Sequence, residues 1–234
     1  AAIRRSAPFR ALLGVFLLQA VATGLMLAGA NYVAVWVMRS DDALIFLFVA
    51  LIAPAILFSP IWNAISRRVG KERAFAAASI MFSVATASLV GAIWAPGVWM
   101  YASVGLAGAA YAWMQALPMA MLPDVISHDA RISGRSRAGV FGGVWTAGET
   151  TGMAIGAAAL TAILTITGYR ESVAGVDVEQ PTEAVTGIAV SFGIVPAVLT
   201  LASLVFLARY RLRRSDIDEA PTTPAATSTG AVSA

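Results

Sequence analysis

Long stretches without charged residues alternate with short polar segments along most of the chain. The uncharged stretches run from Ala11 to Met38, from Ala43 to Ser66, from Ala74 to Pro123, from Ala138 to Tyr169 with one interruption at Glu149, and from Ala184 to Ala208. A helix rises about 1.5 Å per residue, so about 20 apolar residues cross a hydrocarbon layer of about 30 Å. The pattern therefore predicts a chain of membrane-spanning helices.

The third uncharged stretch is long enough for two spans. Trp94, Ala95, Pro96 and Gly97 divide it in the middle, where Pro and Gly favour a turn and tryptophan favours the membrane interface. We therefore predict an all-α, polytopic membrane domain over residues 1–214. Its six transmembrane helices lie at about residues 10–38, 44–66, 74–94, 98–122, 138–168 and 184–208. Residues 215–234, rich in Ala, Thr, Ser and Pro, are predicted to form a disordered cytoplasmic tail.

Composition supports a lipid environment and leaves little material for catalysis. Hydrophobic residues make up 59% of the chain and charged residues 12%, about half the charged fraction of soluble domains. The chain has no cysteine and one histidine, His128, which excludes thiol chemistry and cysteine-based metal sites. No nucleotide-binding or catalytic motif is present. We expect no enzyme activity, no metal site and no cofactor.

The basic residues predict the orientation. If the N-terminus is cytoplasmic, the cytoplasmic segments hold 14 of the 16 Lys and Arg residues, and the external segments hold Arg39 and Arg170. This distribution follows the positive-inside rule. It predicts that both termini are cytoplasmic, and it argues against nucleic-acid binding because the cations do not form one patch.

Glu149 is the one ionisable residue inside a predicted span. It lies 11 residues into the fifth span, which is about 16 Å along the helix and near the membrane midplane. Such a group either carries a proton, binds a cation or a sugar hydroxyl, or makes a structural bond to a neighbouring helix. Trp145 precedes it by one turn, and an aromatic ring beside a carboxylate is a common way to hold a sugar.

Other positions in the spans suggest packing or a polar cavity. Gly148, Gly152 and Gly156 repeat every four residues, which favours close helix packing. Tyr111 and Gln115 share a face of the fourth span beside Pro118. They either line a cavity or bond to another helix, and the same alternatives hold for Asn31 in the first span.

Two segments resemble the glycoside-pentoside-hexuronide:cation symporters, the melibiose-permease-like branch of the major facilitator superfamily. The sequence Leu122-Pro-Asp-Val-Ile126, with the following Asp129, Gly134, Arg135, Arg137 and Gly139, is similar to that family's loop between helices ten and eleven. Arg68-Val-Gly70-Lys71 is similar to the superfamily's basic turn between the second and third helices of a half. The resemblance implies a C-terminal half, helices seven to twelve, so the six spans form one half of a major facilitator fold.

The resemblance also implies roles for individual residues. In the family, loop charges form ion pairs that change with transport state, which implies a cytoplasmic gate made of Asp124, Asp129, Arg135, Arg137, Arg68 and Lys71. The family often has a lysine in helix eleven, and aligning Trp145 and Gly152 places Thr150 at that position. Thr150 thus joins the five residues singled out by their positions in the spans, and the predicted substrate or cation site consists of Glu149, Trp145, Thr150, Gln115, Tyr111 and Asn31.

The sequence thus predicts half of a secondary transporter in the bacterial inner membrane. It moves a small solute, expected to be a sugar or glycoside, together with H⁺ or Na⁺ by alternating access, and its partner is an N-terminal six-helix half. The start at Ala1 without Met fits a fragment of such a transporter. The alternative is a self-contained six-helix membrane protein that forms an oligomeric channel or scaffold through the glycine stripe.

Overall fold

The structure is a computed structural model that describes residues 6–40, 42–135, 137–171 and 179–210. These residues form six long helices, α1 (Ala7–Tyr32), α2 (Ala43–Val69), α3 (Lys71–Ser88), α4 (Trp99–Ser133), α5 (Ala138–Ile166) and α6 (Thr182–Leu207). A π-helical segment, Val33–Val37, extends α1, and a 3₁₀ segment, Leu89–Ile93, extends α3. The described residues contain no strand, which confirms the predicted all-helical fold. The predicted tail, 215–234, lies outside the described residues.

Five of the six helices are long and apolar enough to cross a membrane. The exception is α4, which is the longest at 35 residues, but whose uncharged part contains glycines, Trp and Tyr side chains and Gln115, and whose last turns are charged. It begins at the predicted turn and continues beyond the predicted end at residue 122, through Pro118 and Pro123, to Ser133. The prediction of a loop there was wrong because the charges after Pro123 indicate where a helix leaves lipid and do not end the helix itself.

The α2–α3 turn is also shorter than predicted. Helix α2 continues to Val69, past the predicted end of the span at residue 66, and the chain turns at Gly70, whose φ is 92°. A residue with a side chain is strained at this φ, so glycine suits the position. Helix α1 is capped at its N-terminus by Ser6, whose Oγ accepts a hydrogen bond from N of Phe9 at 3.4 Å.

The helices pack as two related groups of three. Helix α1 packs against α5 and α6, and in the same way α4 packs against α2 and α3, while α3 and α6 pack against each other. If α1, α2 and α3 are exchanged with α4, α5 and α6 respectively, the same pairs of helices are in contact. This symmetry is expected for the 3+3 repeats nested in a major facilitator half. Helices α1 and α4 make little contact with each other, which leaves space between them.

Glycines allow the close crossings in both groups. A Cβ on Gly156 of α5 would meet the backbone of Val21 and Leu25 in α1, and a Cβ on Gly108 of α4 would meet the backbone of Leu51 in α2. Small residues let helix backbones approach where lipid supplies no hydrophobic driving force for association.

The contacts at the helix ends identify two ends of the bundle. At one end, called the basic end, Lys71 at the start of α3 contacts Asp124 of α4, and Phe9 of α1 contacts Phe141 of α5. At the opposite end, Nε1 of Trp36 donates a hydrogen bond to the hydroxyl of Tyr169 at 3.2 Å. The segments predicted to share a membrane side therefore lie at the same end of the bundle.

Candidate functional site

A cavity of about 200 Å³ lies between the two groups of helices. Residues from α1 to α6 line it, and most of them are apolar, including Met26, Leu51, Phe82 and Met153. Two polar side chains reach it, Thr23 of α1 and Tyr111 of α4. A mainly apolar pocket with a few polar groups is the usual form of a small-molecule site.

Tyr111 joins the cavity to the carboxylate predicted at midspan. Its hydroxyl faces the side chains of Thr23 and Gln115 and lies within electrostatic range of Glu149. Glu149 itself is partly buried on α5. The structure therefore places Gln115 and Thr23 near the Tyr111 hydroxyl, with Glu149 of α5 within electrostatic range.

This cluster combines an acid with neutral hydrogen-bonding groups. A carboxylate accepts hydrogen bonds or binds a cation, a phenol and a threonine hydroxyl both donate and accept, and a glutamine amide does both with different atoms. Groups of this kind are costly in a membrane unless they are paired or face a cavity. The arrangement is suited to binding a solute rich in hydroxyl groups, or a cation beside Glu149.

Trp145 does not line this cavity. Its ring stacks on Phe16 of α1, with centroids 4.0 Å apart and an interplanar angle of 20°, and the residue is 2% exposed. Neither face of the ring is open to a sugar in this structure. Its Nε1 is buried without a hydrogen-bond partner among the described residues. Here the ring packs α5 against α1, and the predicted stacking on a solute needs a different conformation.

Two other predicted binding residues lie away from the cluster. Thr150 is exposed, and its hydroxyl donates to the carbonyl of Thr146 in its own helix at 3.0 Å. Asn31 is exposed near the end of α1 and does not line the cavity. The cavity and the cluster around Tyr111 therefore do not include these two residues.

The glycine stripe packs within the chain. A Cβ on Gly148 would contact the side chains of Leu13 and Leu17 in α1, and one on Gly152 would lie 2.7 Å from Cβ of Ala20. With Gly156, these residues line the crossing of α5 over α1. The prediction of a helix-packing stripe agrees with these contacts, and its partner is α1 of the same chain.

Among the residues that the structure describes, the predicted gate contains one ion pair. Nζ of Lys71 lies 2.7 Å from Oδ2 of Asp124 and also donates to the carbonyl of Ala120 at 3.1 Å. Lys71 is the first residue of α3, so the pair holds the α2–α3 turn against α4 at the basic end.

The other predicted gate residues are not joined to this pair. Asp129 is buried on α4, and its Oδ2 has no hydrogen-bond partner among the described residues. Arg68 and Arg135 are exposed and Arg137 is partly exposed, and within the described ranges none of the three forms an ion pair. Those ranges also contain no group of three or more His, Asp or Glu side chains able to hold a metal ion.

The structure adds a residue at the gate that the sequence did not single out. Tyr210 follows the end of α6 and is buried. Burial, together with the negative charges of Asp124 and Glu72, raises the pKa of the Tyr210 phenol above its usual range. The end of α6 therefore lies beside the Lys71–Asp124 pair. Its signal in the sequence is an aromatic residue between basic residues at the end of the last apolar run.

A buried polar side chain on α1 joins three helices. Gln19 is 1% exposed, and its Nε2 donates to Oγ of Ser79 in α3 and to Oγ of Ser203 in α6, both at 3.2 Å. These bonds join three helices, so Gln19 has a structural role here. Thr23 follows Gln19 by one helical turn, and this spacing is a signal that a second polar residue faces inward.

Comparison with known proteins agrees with the helical bundle. Residues 2–214 match the family described as MFS/sugar transport protein. No curated protein matches the chain. The family match covers all six helices and most of the sequence. The chain therefore belongs to the MFS/sugar transport family, and it is an integral membrane protein of the major facilitator superfamily with a transporter fold.

Proposed function

We propose that the chain is the C-terminal half of a cation-coupled sugar transporter of the melibiose-permease-like type. The family match supports transport of a small solute by a major facilitator protein. The nature of the solute, the coupling and the identity of the half are our proposal. Transport of this kind requires a central site that opens to either side of the membrane in turn.

The observation that carries the proposal is that Glu149 lies within electrostatic range of Tyr111, which lines the central cavity. The site lies on three helices that belong to both groups of the bundle, α1, α4 and α5. A change in the angle between the groups would therefore alter the distances between its polar side chains. Binding of a solute is coupled to conformation where the two conformations differ in such contacts.

Glu149 is the proposed coupling residue. A carboxylate in a membrane span is favoured when it is protonated or paired with a cation. Loading Glu149 with H⁺ or Na⁺ removes its net charge and allows Tyr111 and Gln115 to turn their hydrogen bonds to the solute. In this scheme Trp145 packs α5 against α1 and positions Glu149, and Thr150 lies on an exposed part of the helix.

The proposal includes an orientation. The basic end faces the cytoplasm of a bacterial cell, and the end with Trp36 and Tyr169 faces outward. The chain has no cysteine, so single cysteines report each side. Ala95→Cys, at an exposed position of the α3–α4 turn, should react with an impermeant thiol reagent in intact cells, and Arg135→Cys should react only after lysis. Labelling of Arg135→Cys in intact cells would contradict this orientation.

The alternative, an oligomer assembled through the glycine stripe, is disfavoured by one observation. Gly152 and Gly156 are buried against α1, so they are not available to a second copy. A small-residue surface that is already used inside the chain gives no reason to propose an oligomeric channel.

Transport by the complete protein tests the proposal. Vesicles that contain the complete transporter, with this chain and its N-terminal half, are given a panel of labelled sugars with and without an imposed proton or sodium gradient. We expect at least one sugar to accumulate above its external concentration only when a gradient is present. Equal uptake by vesicles without the protein, for every sugar and every gradient, would contradict the proposed function.

A further inference from the structure

A second cavity lies at the opposite end of the bundle and shares no residue with the central one. Its volume is about 490 Å³. It is bounded by the end of α1, the turn between α3 and α4, and the beginning of α6. These elements lie on the side of the bundle where α3 and α6 pack together, away from Glu149.

Arg39 is the one charged residue among the described residues that line this cavity. Its φ is 51°, a left-handed conformation that is unfavourable for a residue with a side chain. Its side chain forms no ion pair or hydrogen bond with the residues that the structure describes. The chain therefore has a strained backbone at the charged residue that lines the cavity, and such strain is often retained at ligand sites.

The remaining lining is amphipathic. Hydroxyl groups of Ser40, Thr182 and Thr186 contribute hydrogen-bonding capacity, while Val37, Ile93 and Val185 are apolar. Thr182 and Thr186 are one helical turn apart, so they share a face of α6. A ligand that fits this surface has an anionic, oxygen-rich part and an apolar part.

The aromatic residues around the cavity indicate its depth in the membrane. Trp36 and Tyr101 line it, and Trp94 and Val98 in the adjoining turn are 78% and 81% exposed. Trp and Tyr concentrate at the level of the lipid headgroups. The cavity therefore lies where lipid phosphates are present at high local concentration.

We propose that this cavity binds the headgroup of an anionic phospholipid. The guanidinium of Arg39 pairs with the phosphate, the threonine hydroxyls of α6 donate to its oxygens, and the apolar lining accommodates the start of the acyl chains. Arginine is suited to this role because its planar donors match two phosphate oxygens at once. A bound lipid would hold together the end of α1, the α3–α4 turn and the start of α6.

The test measures lipid binding to the purified chain in detergent by native mass spectrometry. Phosphatidylglycerol and phosphatidylcholine are titrated separately, and inorganic phosphate is added as a competitor. We expect preferential binding of phosphatidylglycerol. Arg39→Gln should weaken it roughly tenfold, which corresponds to about 1.4 kcal/mol. Arg39→Lys should have an intermediate effect, because the charge remains but the two parallel donors of the guanidinium are lost.

Arg170→Gln is the matched control because Arg170 is exposed at the same end but does not line the cavity. It should bind phosphatidylglycerol as the original chain does. Melting curves of each variant show whether it is folded. If Arg39→Gln is not folded, Thr186→Val is tested in its place, and its affinity for phosphatidylglycerol should fall about threefold. Unchanged binding in the folded cavity variant, an equal loss in Arg170→Gln, or complete competition by inorganic phosphate would each overturn the lipid assignment.

Discussion

Nζ of Lys71 lies 2.7 Å from Oδ2 of Asp124, so the first residue of α3 is tied to α4 at the basic end. The two side chains are 39% and 21% exposed. Water and salt therefore weaken their attraction, and a pair of this kind contributes about 0–1 kcal/mol to folding. Its larger effect is expected on the balance between conformations, because an ion pair between two moving elements favours the state in which it forms.

Asp124→Asn should change the transport rate more than it changes the amount of folded protein. We expect a rate change of several-fold and a loss of stability below about 1 kcal/mol. The measurement combines initial uptake by the complete transporter with quantification of the protein in the membrane. Lys71→Gln and the double variant complete a cycle, and non-additive rates are expected. Additive effects, or an unchanged rate, would leave Asp124 as a surface residue without a gating role.

The crossing of α5 over α1 should be sensitive to a single methyl group. Gly156→Ala places Cβ against the backbone of Val21 and Leu25, which cannot move easily, so we expect a loss of about 1–3 kcal/mol. Gly142→Ala is the control on the same helix, because nothing lies within 4 Å of its added Cβ. It should be neutral or gain up to about 1 kcal/mol from helix propensity. Thermal unfolding in detergent compares the two, and equal melting temperatures would refute the close crossing.

Tyr210 should make the fold sensitive to alkali. Burial and the nearby Asp124 and Glu72 raise the pKa of its phenol in the folded protein, whereas an unfolded chain loses this proton near pH 10. The stabilising effect is therefore complete below about pH 10 and is lost as the pH rises towards the folded pKa, by at most about 1.4 kcal/mol per pH unit. Tyr210→Phe should reduce this loss.

Unfolding of the original chain and the Phe variant, followed between pH 8 and pH 11.5, measures the effect of Tyr210. Asp124→Asn is a second comparison. It removes one of the negative charges that raise the pKa of Tyr210. The stability that it loses as the pH rises should therefore lie between the losses of the original chain and of Tyr210→Phe. Parallel curves for all three proteins would show that Tyr210 ionises equally in the folded and unfolded states.

The positions of the helices could be predicted because membrane thickness sets their length. The predicted span at 44–66 corresponds to α2, Ala43–Val69, and the glycine stripe lies at the crossing of α5 over α1. The end of α4 could not be found in this way, because charge indicates the exit from lipid and Asp124 and Asp129 lie in regular helix beyond it.

The candidate site was only partly predictable. Glu149 stood out as a charge in a span, but its approach to Tyr111 depends on how α4 and α5 turn about their axes, and this is fixed by contacts such as Trp145 on Phe16. The sequence places Thr150 beside Glu149, yet adjacent residues on a helix point about 100° apart. For this reason one residue reaches the cluster and the other is exposed.

The most direct measurement of the central claim is gradient-driven accumulation by a Glu149→Gln transporter. Glutamine keeps the size and most of the hydrogen bonding of glutamate but removes the charge that binds H⁺ or Na⁺. Vesicles with the complete transporter are assayed for accumulation under a proton or sodium gradient and for exchange of labelled solute without one. Thr150→Val, at an exposed neighbouring position, is the control and should support both activities.

We predict that Glu149→Gln abolishes accumulation, retains measurable exchange, and is present in the membrane at a level similar to that of the original protein. Loss of protein from the membrane, with exchange lost in proportion, would instead assign Glu149 to helix packing. Accumulation by Glu149→Gln to the original level, under the same gradient, would contradict its role in coupling.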